Sequence, residues 1–425
     1  MNLIDELQWR GMVHTIMPGT NELLQRETVN GYIGFDPTAD SLHIGSLVPI
    51  LLLMHLQNAG HKPIALVGGA TGMVGDPSGK SDERNLLDEA TLNHNVACIK
   101  AQLAQFLNFD GTAANAAELV NNYDWFKNFS FLNFIRDVGK HITVNYMMAK
   151  ESVKKRIDGD TGMSFTEFSY QLVQGYDFYE LYTTKNCKLQ MGGSDQWGNI
   201  LTGTELIRRK TGGEAYAFTC PLITKADGGK FGKSEKGNIW LDANKTSPFD
   251  FYQFWVRCDV EDAEKWIKIF TFLPKETIET LIITNAEKPE AKLLQKKLAE
   301  EVTKLVHGQA ALDAALATTQ QLYSTTQQPI DTLTAEALEA LEGIVKVTIT
   351  KADYAIPIDV VSFVAQHGIF ESKGDAKKMI QNGGLAINRK KVTTATNNIN
   401  MEQLLHHKYL LIQKGKKQHY LIIVT

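Results

Sequence analysis

Cysteine is scarce. The 425 residues hold 4, and Cys98, Cys187, Cys220 and Cys258 are too dispersed to form the C-x-x-C pair that zinc ribbons and thiol redox centres use. Neither a disulfide framework nor a protein-held metal is therefore expected. Long apolar runs are missing too: the longest, Leu47 to Leu56, is too short to span a bilayer. The start, MNLIDELQWRG, carries acids where a signal peptide carries basic residues, so a cytoplasmic protein without membrane attachment is expected. Two familiar nucleotide motifs are also absent. VGDPSGKS has Val74, and GGKFGKS has Asp227, where a P-loop needs glycine, and no G-x-G-x-x-G occurs. An ordinary P-loop NTPase and a nicotinamide enzyme are both unsupported, and no repeats or low-complexity tracts appear.

Charge of one sign is lacking overall, with 44 Lys+Arg against 48 Asp+Glu, a net −4 that by itself argues against a wholesale nucleic-acid binder. The average hides an asymmetry. From Asp353 to Thr425 there are 10 basic against 5 acidic residues, a local +5, which leaves the rest with 34 against 43, or −9. An acidic body thus carries a basic C-terminal module.

What is present has an α/β rhythm. VNGYIGF, LVPILLLMHLQNAG and KPIALVGGATG alternate strand and helix signals, as a parallel sheet with crossover helices does, and CKLQMGG at 187–193 runs into a helix beginning at Ser194 or Asp195. Ligands collect where such strands end. Residues 248–325 turn helical, with Leu294, Leu298, Val302 and Leu305 as a stripe and Gly308 as an expected stop. The Thr- and Gln-rich stretch before Pro329 marks a boundary. The basic tail reads as a small α/β unit, with a helix capped by Ser372 and Asp375 and ending at Asn382–Gly383, followed by LAINRKKV and a pair of strands about 414–417.

Two segments invite a chemical reading. FDPTADSLHIGSL places His43 and Ser46 at the start of an apolar helix, where free backbone N–H groups and the positive helix end suit a phosphate; a capped helix with a satisfied histidine is the plainer alternative. DGGKFGKSEKGN gathers glycines around Lys230, Lys233 and Ser234, which fits either a loop that folds over a polyphosphate or a solvated hairpin.

HIGS and KFGKS, in this order, resemble the HIGH and KMSKS signatures of class I aminoacyl-tRNA synthetases. YIGFDPTADSLHIG, GGATGMVGDPSGKSDER, VNYMMAKESV, FTEFSYQLVQGYDF and LQMGGSDQWGNI narrow the resemblance to the bacterial tyrosyl-tRNA synthetase family across essentially the whole chain. The resemblance implies a Rossmann-like parallel-sheet catalytic domain (1–240), an α-helical anticodon-side domain (247–325), a linker (326–352) and a small α/β RNA-binding domain (353–425). It also implies ATP-dependent activation of tyrosine, transfer to tRNA(Tyr), magnesium with the ATP, and a homodimer using the segment around Phe165.

By the same resemblance Thr38, His43 and Ser46 would meet the phosphates, and Lys80, Arg84, Lys230, Lys233 and Ser234 the departing pyrophosphate. Asp36, Gly45, Gly192, Asp195 and Gln196 would hold the rest of the ATP. Tyrosine would be bound by Tyr32, Asp76, Asn122, Tyr170, Gln174, Asp177 and Gln190. Of these, Tyr170, Gln174 and Asp177 stand at i, i+4 and i+7 on one helix face. Lys373, Lys377, Lys378, Arg389, Lys390 and Lys391 would grip RNA, although a solvated face explains a lysine cluster equally simply. Ser46 departs from the family's second signature histidine, and Ile33 stands where many relatives carry cysteine. Two other classes fit parts of the pattern: a tryptophanyl-type synthetase, which shares fold and signatures, and a synthetase-derived RNA-binding protein.

Overall fold

The computed structural model describes residues 2–76, 87–158, 162–229, 231–234, 237–323, 333–339, 341, 343–354, 358–415 and 418–425. The chain divides into two compact units, Met1–Thr246 with Phe254–Val306, and Ser247–Gln253 with His307–Thr425.

The first unit is built on six strands: β1 (Thr15–Ile16), β2 (Asn30–Phe35), β3 (Lys62–Val67), β4 (Glu118–Asn121), β5 (Cys187–Gly193) and β6 (Tyr216–Cys220). Their order is β1-β6-β5-β2-β3-β4, all parallel except β1 against β6. From β2 the chain crosses to β3 on one side, whereas β5 lies on the other, so the strand order reverses between β2 and β5. In open parallel sheets that reversal opens a crevice at the carboxyl ends of the strands. Apolar residues run almost unbroken through Ile64–Val67 and Leu189–Met191 because both faces of the sheet are covered. Helix Leu47–Asn58 is likewise apolar nearly all round and buries Leu47, Ile50, Leu51, Leu52, Leu53 and Leu56.

The second unit has a five-stranded sheet in the order Lys390–Lys391, Leu385–Ile387, Tyr409–Lys414, Gln418–Val424, Val345–Ile349. Helices Val360–Gln366 and Lys373–Gln381 supply Phe363, Val364 and Ile380 to a core shared with Leu410, Ile412 and Ile422. Ser372 caps the second helix as expected, its Oγ accepting from Asp375 N–H at 3.1 Å.

Two expectations need correction. Val345–Ile349 is not linker: its alternating β-branched residues pair in parallel with Gln418–Val424 and complete the tail's sheet. Gly308, by contrast, is the stop expected of it: at φ 83°, ψ 171° it ends one helix, and a second, Ala-rich helix begins beyond it and runs to Tyr323, close to where the two compact units divide. The segment 247–325 is accordingly shared between the units.

Arg10 holds the edge of the first unit. It is 4% exposed, and its guanidinium donates to the carbonyls of Lys268 (2.7 Å), Thr271 (2.7 Å) and Leu273 (2.9 Å) and to Glu6 (2.7 Å). The Lys268 carbonyl belongs to the last turn of helix Val260–Phe270, where intrahelical donors run out, and the Thr271 and Leu273 carbonyls follow the helix. Arg10→Ala should lower the unfolding free energy of this unit by about 2–4 kcal/mol, and Arg10→Lys should recover less than half, because an ammonium lacks the fork that reaches three carbonyls. Urea unfolding midpoints of the three proteins check this.

Candidate active site

A cavity of about 190 Å³ opens at the β2/β5 reversal. Tyr32, Ile33 and Gly34 of β2 and Gln190, Met191, Gly192 and Gly193 of β5 form one side; Tyr170, Gln174 and Asp177 of helix Phe165–Lys185 form the other; Asp36, Thr71, Asp76 and Gln196 complete the wall. The i, i+4, i+7 face thus does point into a cleft. Capping by Ser164 and Glu167 fixes the start of that helix, and with it the phase of the face.

The cavity floor is a hydrogen-bonded chain of buried polar groups. Asn122, fully buried, accepts from Ala70 N–H at 2.6 Å and donates to Thr71 Oγ1 (3.1 Å) and to Asp177 Oδ2 (3.1 Å). Trp125 Nε1 donates to Asp177 Oδ1 (2.9 Å). Thr71 Oγ1 and Tyr170 Oη donate to opposite oxygens of Asp36, at 2.7 and 3.0 Å. Beside this chain, the Tyr32 hydroxyl and Gln190 Oε1 are buried with no partner among the described residues. A buried hydroxyl and amide oxygen without partners, beside a carboxylate, form the complement of a ligand's polar group.

Burial pushes the Asp177 carboxyl up to about 8, against the pull of the Asn122 and Trp125 donors. The Tyr32 and Tyr170 phenols are raised well above their usual range, first by burial and then by Asp177 and Asp36 respectively. Asp195 is also raised, by burial. At the mouth, Gln196 Nε2 donates to Asp76 Oδ2 (2.7 Å) and Asp195 Oδ2 (3.2 Å), while Asn199 Nδ2 donates to Gln174 Oε1 (3.0 Å).

The two signature segments meet beside this cavity. Ile44 N–H donates to the Ile239 carbonyl (3.0 Å) and Leu241 N–H to the Leu42 carbonyl (2.9 Å), so the first segment is stitched to the end of the second. Gly232, at φ 83°, lies against it; a Cβ there would be 3.2 Å from Ile44. Phe231 seats the loop in an aromatic cluster, with ring centroids 4.9 Å from Trp266 and 5.4 Å from Phe270. His43 does not sit within the helix, as its sequence context suggested. It caps the short turn Ile44–Ser46 that precedes the helix, and its Nδ1 accepts from Gly45 N–H at 3.0 Å. In the neutral ring the proton is then on Nε2. A Cβ on Gly45 would come within 2.7 Å of that ring, which explains the glycine. Thr38 and His43 are exposed; Ser46 uses its N–H on the His43 carbonyl at 2.8 Å, and its side chain makes no capping bond.

The structure therefore brings together Tyr32, Asp36, Asp76, Asn122, Tyr170, Gln174, Asp177, Gln190, Gly192, Asp195 and Gln196. Lys80, Arg84 and Lys230 lie outside the described residues, as do the side chains of Lys233 and Ser234. Sequence reasoning missed Thr71, Trp125 and Asn199. Thr71 lies within the GGATG block, and Asn199 stands one helical turn after Gln196; nothing local singles out Trp125.

In the second unit Lys373, Lys377, Lys378, Lys390 and Lys391 are exposed, and Arg389 donates to the Gln321 carbonyl. Lys390, Lys391, Asn388, Asn398 and His407 line a cleft of about 730 Å³.

A sheet reversing at β2/β5, with a polar cavity there and two glycine-bearing phosphate-type segments stitched beside it, defines a class I aminoacyl-tRNA synthetase core. Residues 24–324 match the family model "tRNA synthetases class I (W and Y)", and residues 336–422 match "Tyrosine--tRNA ligase SYY-like C-terminal domain". Among curated relatives, the tyrosine–tRNA ligase of Bacteroides fragilis is 59% identical over 428 residues and that of Porphyromonas gingivalis 58% over 429, each covering 100% of both chains. A C-terminally truncated mitochondrial tyrosyl-tRNA synthetase of Aspergillus nidulans superposes with a TM-score of 0.67 at 31% identity, covering 76% of this chain and 94% of that one. The chain belongs to the tyrosine–tRNA ligase family.

Asp177 makes stability depend on pH in a defined direction. The unfolded carboxyl titrates near 3.9 and the folded one about 8, so the folded protein holds the extra proton and loses stability as pH rises between them. Urea unfolding at about pH 5 and about pH 8.5 should show that decline, and Asp177→Asn should flatten it. Equal declines in both proteins would contradict the assignment.

Proposed function

We propose that this chain activates L-tyrosine with ATP to tyrosyl-adenylate and transfers the tyrosyl group to the 3′-terminal ribose of tRNA(Tyr), acting as a cytoplasmic homodimer. The observation that carries the amino-acid choice is the unpartnered Tyr32 hydroxyl beside Asp177 at the closed end of the cavity. A ligand phenol entering there finds a hydroxyl and a carboxyl to exchange hydrogen bonds with. Phenylalanine would leave both unpaired, and discrimination of this kind reaches roughly 10⁵, a value established for this enzyme family in general. Asp36, Asp76 and Gln174 bring negative and accepting groups to the other end, where an α-ammonium is welcome. Tyr170 Oη, engaged with Asp36, fixes that carboxylate.

The first step needs positioning more than proton transfer. The tyrosine carboxylate attacks the α-phosphorus of ATP, the P–O bond to the β-phosphate breaks, and pyrophosphate leaves with the electron pair. His43 Nε2–H and Thr38, on the exposed first segment, would meet the phosphates, and Lys230, Lys233 and Ser234 would close from the stitched loop, with Lys80 and Arg84. Ser46 offers a short neutral hydroxyl in place of a second imidazole. Asp195 and Gln196 would take the ribose, and Gly45 and Gly192 let the nucleotide approach the backbone. Magnesium is expected with the ATP, whose phosphates supply its oxygens. In the second step the terminal ribose hydroxyl attacks the acyl carbon and AMP departs.

Large exposed apolar residues, Phe131, Leu132, Val144 and Phe165, support a homodimer. No described helix is long and apolar enough to cross a membrane.

Tyrosine-dependent ATP–pyrophosphate exchange tests the first step: exchange is expected with tyrosine and not with phenylalanine or tryptophan, and Tyr32→Phe should cut tyrosine's kcat/KM about tenfold while narrowing the gap to phenylalanine. Exchange supported better by tryptophan would overturn the reading. Replacing Lys377, Lys378 and Lys390 together by Ala should weaken tRNA charging and lower its salt dependence by a slope of about 3, with exchange intact. Equal loss of exchange would contradict that division of labour.

A further inference from the structure

The amino-acid end and the ribose end of the cavity are carried by different elements, and one side chain holds both. Asn199, 6% exposed, lies in the first turn of helix Trp197–Thr211. Its Nδ2 donates to Gln174 Oε1 at 3.0 Å and to Gln196 Oε1 at 3.3 Å. A carboxamide carries two N–H donors, so one group serves both oxygens and neither bond displaces the other.

The backbone sets this reach. Helices Phe165–Lys185 and Trp197–Thr211 approach each other at Gly175 and Gly203: a Cβ on Gly175 would lie 3.3 Å from Gly203 N, and one on Gly203 would lie 2.9 Å from Phe178 Cβ. Asn199 stands one turn before Gly203 and Gln174 adjoins Gly175, so a short side chain spans the gap. Thr202, fully buried, adds a hydrogen bond from its Oγ1 to Gln171 Oε1 at 3.4 Å. The helix pair is therefore held together by contacts other than those of Asn199.

Fixing the two oxygens also fixes the two nitrogens. Gln196 Nε2 donates to Asp76 Oδ2 at 2.7 Å and to Asp195 Oδ2 at 3.2 Å; turning that amide over would set its oxygen against two carboxylates and its N–H groups against those of Asn199. Gln174 Oε1, engaged by Asn199, keeps a second lone pair for an α-ammonium. We propose that Asn199 is a positioning residue for both substrates, holding Gln174 for tyrosine and Gln196, with its Asp195 partner, for the ribose of ATP. The proposal rests on the synthetase reading above. Asn199 acts through the two glutamines and touches neither substrate itself.

Exchange kinetics of the full chain, with tyrosine and ATP varied in turn, test this. Asn199→Ala should raise KM for tyrosine and for ATP by about threefold to tenfold each, with kcat within about threefold of wild type. Asn199→Asp keeps the shape and removes the donors, so its KM for ATP should rise at least as far; a value near wild type would show that shape alone matters and would overturn the proposal. The backgrounds separate positioning from packing. With Gln174 already replaced by Ala, Asn199→Ala should add less than about twofold to KM for tyrosine and keep its full effect on ATP, whereas with Gln196→Ala the ATP effect should be the one that vanishes. A packing defect would multiply through unchanged in both backgrounds and overturn the assignment, as would an effect of Asn199→Ala confined to one substrate. Absence of exchange in wild type would instead sink the synthetase reading.

Discussion

A carboxyl buried beneath a parallel sheet is the constraint around which the first unit is arranged. Asp177 is 2% exposed, and burying a polar group without hydrogen-bond partners costs about 1–3 kcal/mol. Donors must therefore come from elsewhere in the fold. Asn122 comes from the end of β4 and Trp125 from the turn after it, while Thr71, which follows β3, accepts from the same Asn122 amide and passes the network on to Asp36 after β2. The ends of three adjacent strands are thus tied to one helix through side chains whose first task is to satisfy each other. Asp177 and Tyr32 are left with one another and with space, and that space has the shape of a missing polar group.

Much of this was legible beforehand, and the physical reason is local. Helix periodicity alone placed Tyr170, Gln174 and Asp177 on one face, and hydrophobic runs placed β2, β3 and β5, because each signal needs only a few consecutive residues. What escaped needed distance in the chain. Trp125 matters only because the fold carries its indole N–H to a carboxylate 52 residues later, and no spacing rule sees that. Val345–Ile349 escaped for a related reason: five residues of alternating pattern read as linker until Gln418–Val424 arrives to pair with them. Gly308 was legible for the opposite reason: a single glycine at a positive φ ends a helix by itself, whatever lies elsewhere in the chain.

The signature segments show how a weak local signal becomes a site. His43 alone is compatible with a capped turn, and that is what it makes. Its significance comes from the two backbone hydrogen bonds that join residues 42–44 to 239–241, since these fix the second loop's exit beside the first loop's imidazole whatever the loop itself does. Phe231, held by four aromatic rings, fixes its entry in the same way.

That anchoring also bears on Ser46. In a site that relied on imidazolium charge at two positions, serine would remove a cation. Here Ser46 contributes its backbone N–H to the turn that orients His43, and any residue other than proline supplies that N–H. The structural part of the position is therefore independent of its side chain, and only the hydroxyl's single hydrogen bond is left to differ between serine and histidine. The chain's small net charge of −4 is then the sum of an acidic body, at −9, and a basic C-terminal module, at +5, and says nothing about either alone.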